Sequence, residues 1–208
     1  MSQVTRLEVQ KKNKLRVNLY LDDEFFCGLD AVTALSNHLE VGVNVDETKL
    51  YDVLMASESS SAFTRSIDYL SRTMKTEKQM RTYLLGKGYA EQVVDIVVCK
   101  LKDYCYIDDA MYAQLYVEQN VKNKGTKRIK LELAKKGIDK EQTNEITDNI
   151  DDDVLLDSAK LLADKYMRNK ETTRENLIRL QRYLYGRGYD YDLINSITHT
   201  FTDETDDN

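Results

Sequence analysis

Proline is absent from this 208-residue chain and glycine is scarce, at 8 residues. So few breakers, with plentiful Leu, Lys, Glu and Tyr, favour long helices and a mostly α class. Cysteine is sparse too. Cys27, Cys99 and Cys105 are odd in number and lack CxxC spacing, and the only histidines, His38 and His199, lie at opposite ends. Neither a disulfide framework nor a zinc-ligand set is suggested, and the cysteines read as small hydrophobes. No apolar run reaches the length of a signal-peptide core or a membrane span, so the expectation is a cytoplasmic protein with no membrane contact. GxSxG, Walker, HExxH and dinucleotide fingerprints are missing as well. With no catalytic, cofactor-binding or metal-ligating constellation, the chain is not expected to be an enzyme.

Net charge is −6, so phosphate backbones repel the molecule unless its charges are segregated. They are. Between Lys122 and Lys136 stand Lys122, Lys124, Lys127, Arg128, Lys130, Lys135 and Lys136 with Glu132 as the only acid, whereas 139–157 is acidic. The last residues, Asp203, Glu204, Asp206 and Asp207, are acidic too.

Self-similarity organises the rest. Met80–Tyr89, Ile129–Ile138 and Leu180–Tyr189 align on Gly88, Gly137 and Gly188. Leu84, Leu133 and Leu184 lie four residues before the glycine, and Met80, Ile129 and Leu180 eight before it, which is one helix face. After the glycine, Val94/Val97/Leu101, Thr143/Ile146/Ile150 and Ile194/Ile197/Phe201 mark a second helix. Glycine after a terminal Lys or Arg predicts a left-handed helix cap, with the cation against the negative end of the dipole. A further amphipathic stretch precedes each pair, through Phe63, Ile67, Leu70 and Met74, then Tyr112, Leu115 and Tyr116, then Leu155, Ala159, Leu162 and Tyr166. Thr76 with Gln79 and Thr172 with Glu175 have capping-box spacing, and Gly125-Thr126 breaks the chain at the matching point of the middle repeat. The fold expected is an elongated, slightly curved tandem array of three three-helix repeats, each leaning on its neighbours.

Ahead of the repeats, Val4–Gln10, Leu15–Leu21 and Phe25–Leu29 read as a three-stranded meander. Two short helices should follow, one through Ala31, Leu35 and Leu39 and one starting near Asp46, with Ser57–Ser61 as a linker. The divisions expected are an N-terminal region over 1–57, repeats over 58–107, 108–152 and 153–203, and an acidic tail over 204–208. Asp108-Asp109 tempts a catalytic or metal reading, but Asp before an amphipathic run is a preferred N-cap and no third ligand accompanies the pair. Gly86-Lys87-Gly88 and Gly186-Arg187-Gly188 are too short to cradle a phosphate and read as helix ends.

The middle repeat carries a family likeness. Tyr106-Ile107-Asp108-Asp109-Ala110-Met111-Tyr112-Ala113, Tyr116-Val117, Lys124-Gly125-Thr126-Lys127-Arg128-Ile129, Glu132-Leu133 and Lys135-Lys136-Gly137-Ile138 resemble, in order and spacing, the signature of the RecX family. Leu70-Ser71-Arg72, Met80-Arg81, Lys87-Gly88-Tyr89 and Arg187-Gly188-Tyr189 agree with its flanking repeats. The chain departs from the family pattern at Cys105, where glycine is usual, and at Gln119-Asn120, where an arginine is common. The resemblance implies a monomeric regulator that lies in the groove of the RecA filament and restrains ATP hydrolysis and strand exchange. The alternative is a DNA-binding module of helix-turn-helix-like repeats acting without RecA, with weak contact to single- or double-stranded DNA. Expected partner contacts are the cations Arg72, Lys75, Arg81, Lys87, Lys122, Lys124, Lys127, Arg128, Lys130, Lys135, Lys136 and Arg187. The fourteen tyrosines read mostly as core, with Tyr185 and Tyr191 as interface candidates. Gly88, Gly125, Gly137, Gly188 and Asp108 carry structural roles.

Overall fold

The structure, a computed structural model, describes residues 1–11 and 13–206, with side chains as far as 202. The side chains of the expected acidic tail, 204–208, lie outside the described residues. The chain forms two compact units, Met1–Asp108 and Asp109–Asn208.

In the first unit, strands β1 (Ser2–Val9), β2 (Arg16–Leu21) and β3 (Glu24–Asp30) form the expected antiparallel meander. Asp22 and Asp23, at φ 48° and 70°, make the two-residue turn whose twist suits a hairpin. A short strand β4 (Asn44–Val45) adds to the β1 edge, giving the order β3-β2-β1-β4. Val4, Leu19, Leu21 and Leu29 line the inner face and pack with Ala34 of helix α1 (Ala31–Ser36) and with Leu50 and Leu54 of helix α2 (Glu47–Leu70).

Helix α2 corrects the reading of Ser57–Ser61 as a linker, because it runs unbroken for 24 residues from its N-cap, Asp46. Serine has modest helix propensity, but Ser57 and Ser61 bond polar groups of neighbouring elements, whereas the buried Ser59 hydroxyl has no such partner among the described residues. Ser61 donates to Asp30 at 2.8 Å, and the Ser57 and Thr33 hydroxyls pair at 3.2 Å. Between them Glu58, 4% exposed, accepts from the Arg16 guanidinium and from the Asp30 N–H, both at 2.6 Å. Tertiary bonds outweigh the local preference. Burial raises the Glu58 carboxyl above its usual range even beside Arg16. Arg16 is only 1% exposed; it also donates to the Gly28 carbonyl and lies over the Tyr89 ring, so one cation ties sheet, helix and first repeat together.

The C-terminal half of α2 packs with α3 (Glu77–Gly86) and α4 (Glu91–Asp103) around Ala62, Met80, Leu84, Val94, Val97 and Leu101. Met74, expected on the first helix, lies beyond it and is exposed. The capping box at Thr76 and Gln79 is complete.

In the second unit, α5 (Asp109–Asn120), α6 (Thr126–Lys136) and α7 (Lys140–Asp148) enclose Ala113, Val117, Ile129, Leu133 and Ile138. Asp108 stands directly before α5. Helices α8 (Asp152–Met167), α9 (Arg174–Arg187) and α10 (Tyr191–Asp206) enclose Ala159, Leu162, Leu180, Leu184, Tyr189, Ile194 and Ile197. The N-cap of α9 is Thr173, bonded to the Asn176 N–H, one residue beyond the expected Thr172.

The glycine ends are one motif used three times. Gly88, Gly137 and Gly188 have φ of 89°, 91° and 89°. The N–H of the next residue returns to the leucine carbonyl, Tyr89 to Leu84, Ile138 to Leu133 and Tyr189 to Leu184, at 3.3, 3.1 and 3.3 Å. The glycine N–H reaches Leu85, Ala134 and Tyr185 in turn. Cys105, where the family usually has glycine, closes α4 in the same way at φ 56°.

Gly188 has a second task. The Gly125 N–H donates to the Arg187 carbonyl at 3.0 Å and the Lys127 N–H to the Gly188 carbonyl at 3.2 Å, so the donor end of α6 sits on the acceptor end of α9. A Cβ on Gly125 would overlap the Gly188 carbonyl, and one on Gly188 would overlap the Arg128 backbone. In the first unit, Asn13 likewise donates its side-chain amide to the Lys87 carbonyl at 3.2 Å.

Gly188→Ala is expected to cost roughly 3 kcal/mol or more, because left-handed strain and backbone overlap add. Gly186→Ala, in α9 with nothing within 4 Å of the added carbon, should instead gain about 1 kcal/mol. Cys105→Gly should gain a similar ~1 kcal/mol by relieving the left-handed residue. Urea melts of the three variants check these signs.

Candidate functional site

The basic segment is built on α6, whose inner face is Ile129 and Leu133, both fully buried. The cations therefore stand on the outer faces, but most have carboxylate partners. Lys124 and Arg128 both bond Glu132, at 2.6 and 2.7 Å; Lys130 pairs with Asp148 of α7 at 2.9 Å, and Lys127 with Asp190 before α10 at 2.5 Å. Asp148 and Asp190 are well exposed, so those two pairs hold their lysines only weakly. Glu132 is the hub. Its partial burial alone would raise its pKa, but hydrogen bonds from Lys124, Tyr116 and Arg128 carry it down to about 2. Lys122 and Lys135 are exposed.

In the first repeat, Arg81 is held by Glu77 and Asp95, at 2.8 and 2.5 Å. Arg72 is exposed.

Reading most tyrosines as core needs correction at Tyr51, Tyr104 and Tyr106, which are exposed, while six others pack at the edges of the cores. Tyr69 and Tyr83 stack at 4.0 Å, with Lys75 over the first ring and Lys87 over the second. Tyr166 and Tyr183 stack at 4.9 Å, with Lys170 over the first and Arg187 over the second. In the middle repeat, Tyr112 and Tyr116 lie in near-parallel planes with Lys136 over both and Lys124 over Tyr116. All six rings are half-buried. Lys170 was not among the expected contacts, although Tyr83/Lys87 and Tyr183/Arg187 stand at equal distances before Gly88 and Gly188. Tyr185 and Tyr191 are each 66% exposed, beside a groove of about 350 Å³ floored by Gly186.

Cys27 is a half-buried small hydrophobe packed against the sheet core, its thiol pushed up to about 12 by desolvation, with Glu58 adding to the effect. Cys99 and Cys105 are exposed, contrary to that reading. Among the described residues no three His, Cys, Asp or Glu side chains group as metal ligands, and no helix is long and apolar enough to cross a membrane.

A small sheet followed by three three-helix units, each bearing a tyrosine and cation surface, defines a protein of tandem helical repeats. Family models for the RecX N-terminal domain and for the first, second and third RecX three-helix domains match residues 2–46, 62–101, 108–145 and 152–198. The regulatory protein RecX of Clostridium botulinum strain Alaska E43 is 32% identical over 201 residues, covering 95% of each chain. That of Clostridium perfringens strain 13 is 31% identical over 206 residues, covering 97% of each. A crystal structure of regulatory protein RecX superposes with a TM-score of 0.66 at 27% identity, over 96% of this chain and all of the other. RecX from Lactobacillus salivarius gives 0.64 at 27%, over 71% and 98%. The chain belongs to the RecX family of regulatory proteins.

Glu132 sets an acid limit for the second unit. A depressed carboxylate stabilises the fold above its unfolded value of 4.5, and that contribution fades as pH falls toward about 2. Glu132→Gln should cost about 2 kcal/mol at pH 7 and flatten the stability profile over that window. Thermal melts from pH 7 to pH 2 would show both effects.

Proposed function

We propose that this protein regulates homologous recombination and DNA repair by lying in the groove of the RecA nucleoprotein filament and restraining its ATPase and strand exchange. Family membership over nearly the whole chain carries the reading. Successive three-helix units can engage successive subunits of a helical polymer, so affinity accumulates along the chain without any single large pocket. Binding of this kind needs neither a bound metal nor a catalytic group. The contacts proposed are the cations of the three repeats, from Arg72, Lys75, Arg81 and Lys87 through the Lys122–Lys136 segment to Arg187. The working form is a cytoplasmic monomer.

Titrating purified protein into RecA turning over ATP on single-stranded DNA tests the reading. ATP hydrolysis should fall progressively, with most of the inhibition reached at or below one protein per RecA subunit. A rate that stays flat through a large excess would end the proposal.

A further inference from the structure

The N-terminal sheet leaves one long edge open. In the order β3-β2-β1-β4, the short strand β4 covers part of the β1 edge, whereas no strand among the described residues pairs with the outer side of β3. Strand β3 contains neither lysine nor proline, the residues that commonly guard an edge against pairing. Two groups toward its C-terminal end are occupied, since Glu58 accepts from the Asp30 N–H and Arg16 donates to the Gly28 carbonyl. The stretch before them runs beside a cavity of about 280 Å³, lined by residues 25–28 of β3, by Tyr51, Leu54 and Met55 of α2 and by Val93 of α4. Neighbouring side chains of a strand point to opposite faces, so a cavity that meets four residues in succession follows the strand edge and not one face.

We propose that the outer edge of β3 takes up an extended, basic polypeptide segment as an added strand, with one apolar side chain of that segment seated in the cavity. Main-chain pairing supplies recognition common to any sequence, and the cavity selects the anchor. Its walls are aromatic and aliphatic, and Phe25 is 60% exposed, so a phenylalanine, leucine or methionine entering there removes apolar surface of both partners from water. Charge selects the flanking residues. Glu24 adjoins Phe25, Asp52 adjoins Tyr51 and Glu91 adjoins Ala90 at the cavity, and all three carboxylates are exposed. Among the described residues no lysine or arginine lines the cavity, and Lys49, two residues before Tyr51, pairs with Asp46. Such a rim attracts lysine and arginine on either side of the anchor and repels the phosphates of nucleic acid. The edge shares no residue with the cations proposed to meet RecA, so either site can fail without the other.

Fluorescence anisotropy of the full chain with a labelled peptide of alternating valine and lysine around a central phenylalanine decides the matter. Methylating the backbone nitrogens of every second residue removes the amide donors along one edge of an extended peptide. One of the two alternate sets should abolish binding and the other should spare it. Ala90→Trp, at an exposed helix N-cap that makes no side-chain cap bond and lines the cavity, fills it and should weaken binding at least about tenfold. If circular dichroism shows that this variant misfolds, Gln92→Trp, exposed at the same cavity, should give the same loss. Glu24→Gln/Asp52→Asn should weaken binding about threefold, whereas Glu141→Gln/Glu145→Gln, which removes the same charge from exposed positions in the second unit, should leave it unchanged. Equal loss in the two charge variants would mean diffuse attraction and overturn the basic occupant. Equal tolerance of both methylated sets would leave an apolar cavity without strand addition and overturn the proposal. So would absence of binding at about 1 mM peptide, tighter binding when glutamate replaces lysine in the peptide, or a dimer in sedimentation equilibrium that Ala90→Trp dissociates, which would assign the edge to a second copy of the chain.

Discussion

Every helix must dispose of carbonyl groups that its own ladder leaves unpaired, and here left-handed closures settle the matter for much of the architecture. Gly88, Gly137 and Gly188 turn the chain so that the next residue, Tyr89, Ile138 or Tyr189, drops back into the core its helix has just helped to form. The direction of the following helix is set at the same point. Because Gly188 has no side chain, the backbone at Gly125 can approach it closely enough for two main-chain hydrogen bonds, and one helix end becomes the cap of another. The second and third repeats are thereby joined through peptide groups, with Lys127 and Asp190 adding an exposed ion pair at the same place.

A different solution operates at the start of the chain, where the sheet and the first repeat share the unbroken helix α2. Arg16 is the common element, since its guanidinium meets Glu58, the Gly28 carbonyl and the Tyr89 ring. A buried cation of this kind confers definition more than net stability, because desolvation consumes much of the Coulombic gain. Its effect is to fix where the residue after Gly88 lies against the sheet.

Charge in this protein is divided by pairing. An acidic chain holding a lysine-rich segment suggests an open positive patch, yet Glu132, Asp148 and Asp190 take up much of that charge. Lys170 and Arg187 are arranged otherwise, since the ring faces of Tyr166 and Tyr183 attract a cation without cancelling its charge. The repeats thus carry two kinds of surface, one near neutrality and rich in ion pairs, the other cationic and aromatic.

What could be read from the residues alone was whatever depends on near neighbours. The glycine spacing, the leucines four before it, the caps at Asp46 and Thr76 and the alternation in the meander each act within one or two turns or along one strand, so local chemistry fixes them. Helix continuity through Ser57–Ser61 was hidden, because the bonds made there by Ser57, Glu58 and Ser61 come from Thr33, Arg16 and Asp30, distant in the sequence. The partners of Lys127 and Lys130, and the stacking of Tyr166 on Tyr183, were hidden for the same reason. Sequence determined three repeats and their ends, and tertiary structure alone decided which charges stay available, because an ion pair or a ring stack exists only once separate helices are brought side by side.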